Sequence, residues 1–274
     1  MATINTNPGA MVALQNLNKT NSQLEQVQQR INTGLKVSSA KDDGGVFAIA
    51  QRMRSQVSGL DAVTSSLNRG QSVTDVALSA GEAVSDLLIE MKDKALAASD
   101  ASLDTASRTA LNEDFKALRD QISNVVDNAE FNGTNLINNG ASDITALANA
   151  DGSNVITVQA EDLSLTGSTI TIGATASFST ATEAGNIASQ IGTSLDNVNN
   201  ALARLGTASK SLEIQNTFVG KLSDSLTEGI GNLVDADLAK ESSRLQALQV
   251  KQQLGIQALS IANSAPQSIL GFFR

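Results

Sequence analysis

"TEAGNIASQIGTSLDNVNNALARLGTASKSLEIQNTFVGKLSDSLTEGI", Thr182 to Ile230, decides the fold. In steps of three and four it presents Ala184, Ala188, Ile191, Leu195, Val198, Leu202, Leu205, Ser209, Leu212, Asn216, Val219, Ser223, Leu226 and Ile230. That is a heptad repeat, apolar at most a and d positions and small or amide-bearing at the rest. No proline interrupts it. At about 1.5 Å per residue the helix runs on the order of 70 Å. A stripe that long cannot bury itself, so it needs long partner helices from the same chain.

The flanks supply them. On the C-terminal side Gly229 and Gly231 mark a break, and a last helix follows with Leu238, Leu245, Leu248, Leu259 and Ala262 on one side, widened by Leu254, Ile261 and Ile269. On the N-terminal side, 132–182 loses helical periodicity and fills with Gly, Ser, Thr and Asn. Short alternations there, Val155–Val158, Leu163/Leu165 and Ile170/Ile172, with turn signals at Asp151-Gly152 and Thr166-Gly167-Ser168, predict a small β excursion with hairpins. Since no heptad seam crosses Asp143–Thr180, the excursion is expected to be exposed and dispensable.

Further upstream, Leu111, Phe115, Leu118, Ile122, Val125 and Ala129 give a heptad seam, preceded by a break at Ser99–Ser107 with Asp100 and Asp104 as cap candidates. The seam from Leu60 to Met91 includes Gly70 and Gly81, each costing about 1 kcal/mol against Ala unless close approach of a neighbour offsets it. The first helix reads Ala10, Leu14, Leu17, Asn21, Leu24, Gln28, Ile31, Leu35, with Asn21 and Gln28 interrupting the stripe. Between it and the next helix, "TGLKVSSAKDDGG" places Asp42 or Asp43 as an N-cap. Lys41, Asp42 and Asp43 could be read as an acid–base cluster, but no phosphate loop or second carboxylate group accompanies them, and the capped turn is the better reading.

The expected fold is thus mainly α: a long antiparallel helical hairpin or coiled-coil bundle with a small β excursion at its distal end. The expected division is a terminal coiled-coil domain of 1–42 plus 232–274 and a helical rod of 43–231, with the β-containing tip at about 131–181.

Composition narrows the function. Among 274 residues there is no His, Cys, Trp or Tyr. The commonest general base, the thiolate nucleophile, the disulfide and the commonest metal ligands are all missing. No enzyme, cofactor or metal site is therefore expected. The net charge of −9 argues against nucleic acid as a partner. No apolar run approaches the roughly 20 residues of a membrane helix, and the N-terminus lacks the pattern of a cleaved secretory signal.

At "LNKTNSQLEQVQQRINTGLKVSSAKDDGGVFAIAQRMRSQVSGL" (17–60), "EFNGTNLI" (130–137) and "DADLAKESSRLQALQVKQQLGIQALSIANSAPQSILGFFR" (235–274) the chain resembles the bacterial flagellins, in particular the compact ones of alphaproteobacteria such as Caulobacter. The resemblance implies a structural subunit of the flagellar filament that self-polymerises through its terminal helices. It implies location outside the cell, reached unfolded through the flagellar type III apparatus without a cleaved signal. Implied partners are other flagellin subunits, an export chaperone or assembly factor, a filament cap protein and hook–filament junction proteins. A junction protein of the same superfamily is the alternative. The expected polymerisation surface is Leu14, Leu17, Leu24, Ile31, Leu35, Leu245, Leu248, Leu259, Ile261, Ile269, Phe272 and Phe273. Ser38, Ser39, Lys41, Asp42 and Asp43 are the expected interdomain turn. One departure is "KDKALAAS", Lys92 to Ser99, where well-recognised members carry a run like "RELAVQ"; recognition by the mammalian innate receptor is not carried over.

Overall fold

Every helix of this chain begins on a side chain that takes up an otherwise unpaired first-turn amide. The computed structural model describes residues 6–270, with side chains through Ser264. Helix α1 (Pro8–Thr33) starts under Asn7, whose Oδ1 accepts from the Ala10 amide at 3.1 Å. Asp43 caps α2 (Gly44–Ala98), accepting from Val46 N at 3.0 Å. Asp104 caps α3 (Thr105–Asn128) through Ser107 N at 2.7 Å. At α4 (Ala181–Val234) Thr180 and Glu183 exchange reciprocal bonds, a capping box. Asp237 caps α5 (Leu238–Leu270) through Lys240 N at 3.1 Å.

Between α3 and α4 lie β1 (Glu130–Phe131), β2 (Thr134–Asn135), β3 (Ile144–Leu147) and β4 (Val155–Val158). They form two antiparallel pairs, β1–β2 and β3–β4, the second in register from Ile144↔Val158 to Leu147↔Val155. The fold is mainly α, as the periodicity predicts. Packing divides the chain into two compact units, 1–55 with 225–274, and 56–224. The expected boundaries at 42/43 and 231/232 differ from these. Val37, Ala50 and Val234 form one buried cluster with Leu35, Val46, Phe47, Ile230 and Leu233 around it, which ties the start of α2 and the end of α4 to the segment that follows α1.

Within 56–224 the predicted seams become the core. Leu60, Val63, Leu67, Thr74, Ala77, Val84, Leu88 and Met91 of α2 are buried, as are Ile191, Val198, Leu205, Leu212 and Val219 of α4. Gly81 is where a close approach requires glycine: a Cβ would stand 2.7 Å from Leu202 Cδ2 and 3.4 Å from Leu163 Cδ1. Two expectations are corrected. Gly229 and Gly231 do not break α4, which runs on to Val234; a Cβ at Gly229 would meet the Met53 methyl at 2.9 Å, so glycine serves packing there.

The β excursion is not an exposed tip. Leu136, Ile137, Ala146, Val158, Leu163, Ile170, Ile172 and Phe178 are buried, Leu147 N donates to Ser66 Oγ at 3.1 Å, and Ala150 lies against Gly59. Deleting 143–180 would strip side chains from the core rather than trim a decoration. Leu163–Ile172 forms one isolated bridge, Leu165↔Ile170, in place of a hairpin, while β3, β4's actual partner, lay in a segment without an alternation of its own.

Candidate self-assembly surface

The terminal unit is built on α1 and α5 packed antiparallel. Asn7 Nδ2 donates to Ala262 O at 2.7 Å, Gln252 Nε2 to Asn21 Oδ1 at 2.8 Å, and Arg30 Nη1 to Glu241 Oε1 at 3.1 Å. The seam of α5 runs Glu241, Leu245, Leu248, Gln252, Gly255, Leu259, Ala262, all buried or half-buried, in unbroken four–three steps. A Cβ at Gly255 would lie 3.3 Å from Leu17 Cδ1, so the helices approach closely there.

The facing seam of α1 is Ala13, Leu17, Thr20, Leu24, Val27, Ile31. This shifts the expected stripe by one position at every second step. Val27, 1% exposed, takes the place expected of Gln28, which is exposed, and Leu14 lies off the seam, also exposed. Both readings satisfy three–four spacing; the apolar Val27 decides between them. The stripe is therefore less interrupted than its first reading, and its one polar member, Thr20, donates its hydroxyl to Asn16 O at 2.9 Å. Glu241 is buried, and its Oε2 has no partner among the described residues.

The expected surface residues consequently separate. Leu17, Leu24, Ile31, Leu245, Leu248 and Leu259 face the partner helix of the same chain, and Leu35 packs on the Val37 cluster. Leu14 and Ile261 are exposed. The Ile269 side chain, Phe272 and Phe273 lie outside the described residues. Ile261 does not widen the seam. At about 100° per residue it points about 160° away from Leu259, and it is 70% exposed. With Val250 and Leu254 it forms a second apolar stripe on α5, at i, i+4 and i+11, turned away from α1. Val250, Leu254, Ile256, Met11 and Val12 were absent from the expected surface, although the second period was present in the sequence beside the first.

The turn at 38–43 is held by one carboxylate. Asp42 Oδ2 accepts from Ser38 N (3.1 Å), Ser38 Oγ (3.0 Å), Ser39 N (3.0 Å) and Ser39 Oγ (3.1 Å), while Asp43 caps α2 and Lys41 is exposed. The turn lies inside the terminal unit, whose division from 56–224 falls at 55/56. The Ser38 and Ser39 donors hold the Asp42 carboxyl below its usual range. Bonds from Ser102 do the same for Asp100, from Ser107 for Asp104 and from Ser179 for Glu183.

All four groups favour the ionised folded state. Their stability contribution is present above the ordinary carboxylate range and is lost as pH falls through the lowered values. Thermal melts are expected to be flat from neutral pH to about 5 and to drop below about 4. An Asp42→Asn, Asp104→Asn chain should start lower and show a shallower acid limb; an unchanged limb would place the acid sensitivity elsewhere.

Among the described residues no group of three or more His, Cys, Asp or Glu could hold a metal ion, and no helix is long and apolar enough to cross a membrane. The surface is apolar and helical, suited to packing rather than chemistry.

Known proteins agree. The bacterial flagellin N-terminal helical region matches residues 4–142 and the bacterial flagellin C-terminal helical region matches 188–273. Flagellins FljM and FljK of Caulobacter vibrioides are each 56% identical over 271 residues, covering 99% of this chain and 98% of the relative. A flagellin of Brucella melitensis is 39% identical over the whole of both chains. A crystal structure of Bacillus cereus flagellin shares the fold at TM-score 0.50 and 21% identity, covering 55% of this chain and 86% of that one. Two terminal family regions and near-complete coverage at this identity leave one conclusion: the chain belongs to the bacterial flagellin family.

Proposed function

We propose that copies of this chain join by burying the side of α5 turned away from α1, with Val250, Leu254 and Ile261 at its centre and Met11, Val12 and Leu14 of α1 contributing. Family membership makes the chain a structural subunit of the bacterial flagellar filament, polymerising with other flagellin subunits outside the cell. The junction-protein alternative is not favoured, since relatives matched over 98% of their length are named flagellins.

The observation that supports the surface is that α5 is apolar on two sides. One side is covered by α1 of the same chain; the other is not. An apolar stripe of a helix is covered in its working state, and each Leu, Ile or Val covered contributes about 1.5–3 kcal/mol. Leu17, Leu24, Leu248 and Leu259 then act indirectly, by holding α1 and α5 together so that the outer stripe is presented. Export in unfolded form, a chaperone or assembly factor for the exposed stripe, a cap protein and junction proteins fit the same reading as its cellular partners.

The chain has no cysteine, so single thiols report cleanly. An Ile261→Cys thiol is expected to react with maleimide in dilute monomer and to be at least tenfold slower in filaments. A Thr109→Cys thiol on α3 serves as the comparison. Equal labelling of Ile261→Cys in both forms would show that the outer stripe of α5 is not the contact.

A further inference from the structure

We infer that two polar side-chain pairs set in the α1–α5 seam, Arg30 with Glu241 and Asn21 with Gln252, fix the register in which these helices pair, a choice that the apolar contacts leave open. In the native register Leu17 lies over Gly255, Asn21 bonds Gln252 at 2.8 Å and Arg30 bonds Glu241 at 3.1 Å. Leu24 is then level with Leu248, Val27 with Leu245 and Ala13 with Leu259. The large apolar residues of both seams recur at steps of seven, so a slip of one heptad, about 10 Å, covers them almost as well. Slipped one way, Leu24 takes the place of Leu17 over Gly255, Leu17 meets Ala262 and Ile31 meets Leu248. Slipped the other way, Leu17 meets Leu248.

The polar groups tell these registers apart. The first slip sets the Gln252 amide against Val27 and carries Glu241 past Thr33, the last residue of α1. The second sets the Glu241 carboxylate against Leu24 and leaves Arg30 short of Leu238, where α5 begins. An amide or carboxylate buried against an apolar side chain loses water and gains no partner. Single polar residues in a helical seam specify register at a cost in stability. The cost shows at Glu241, which is 8% exposed while its Oε2 has no partner among the described residues. Register also decides what the helix pair presents outward. Met11 lies level with Ile261 and Leu14 with Ala258, and a slip of one heptad parts them by about 10 Å. That consequence for assembly rests on the outer-stripe reading; the register itself does not.

The test is disulfide mapping in the full chain, which has no cysteine of its own. A Cβ at Gly255 would lie 3.9 Å from Leu17 Cβ, within disulfide range. A Leu17→Cys, Gly255→Cys monomer is therefore expected to close an intramolecular disulfide on mild oxidation. Leu17→Cys paired with Ala262→Cys or with Leu248→Cys reports the two slips and should link at least tenfold less. In a chain that also carries Asn21→Leu, Arg30→Leu, Glu241→Leu and Gln252→Leu, the slipped links should rise at least tenfold. The native link alone in that chain would overturn the inference and give the register to Leu17 packing on Gly255. Slipped links as strong as the native one in the parental background would overturn it as well. So would equal linking of Leu17→Cys to the outward-facing Ile261→Cys, because the polar pairs would then hold the helices together rather than choose their register. Seeded growth separates the two readings: slipped links with unimpaired elongation would uphold the register device and remove the outer stripe from the filament contact.

Discussion

An Ile261→Asp chain is expected to melt like its parent and to fail to elongate filament seeds. The Ile261 side chain is 70% exposed and turned away from α1, so the folded monomer loses almost nothing by the change. In the filament the same position would bury a carboxylate without a partner. Loss of the apolar side chain removes about 1.5–3 kcal/mol, and desolvating the unpaired charge adds several more, at every subunit of the polymer. Light scattering during seeded growth should fall at least a hundredfold in rate, with circular dichroism and thermal melting unchanged. Leu248→Asp is the contrast, because Leu248 is 4% exposed against α1 and its replacement should disturb the monomer as well. Normal elongation by Ile261→Asp would remove the outer face of α5 from the lattice. A lowered melting temperature would mean that the stripe is covered within the monomer.

The contrast between Ile261 and Leu248 also marks what periodicity could and could not resolve. Long seams were legible where one residue type decides each step. Every apolar a and d residue named on α2 from Leu60 to Met91 is buried, because a long helix with one apolar side has one way to turn it. On α1 two stripes one residue apart both fit, and only the burial of Val27 separates them. On α5 apolar residues lie on both sides, so spacing alone could not say which side the chain covers itself. Glycine was ambiguous for a different reason. Gly229 reads as a helix end, but its missing Cβ admits Met53, a tertiary contact invisible in local sequence. The β segment was misjudged because its burial comes from α2, α3 and α4, through contacts such as Ala150 on Gly59.

The joint between that segment and the helices is where a single side chain matters most to the 56–224 unit. Phe115 is fully buried on α3, with its ring centroid 5.2 Å from that of Phe178 and the planes tilted by 58°. The backbone N–H of Phe178 donates to the buried Asn112 Oδ1 at 2.9 Å, and two residues on, Thr180 begins the capping box of α4. Arg119 Nη1 anchors the same loop at Ala176 O, 2.7 Å. Phe115 therefore fills the core and seats the loop that starts α4. Phe115→Ala is expected to cost about 3–5 kcal/mol through lost burial and the cavity left behind. For a unit of this size that lowers the melting temperature by about 10 °C. Calorimetry should register the shift, and hydrogen exchange should quicken first at 176–184. The α1–α5 pair, which belongs to the other compact unit, should exchange as before. A shift of under 2 °C would mean that neighbouring side chains refill the space and that the loop is seated by Asn112 and Arg119 alone.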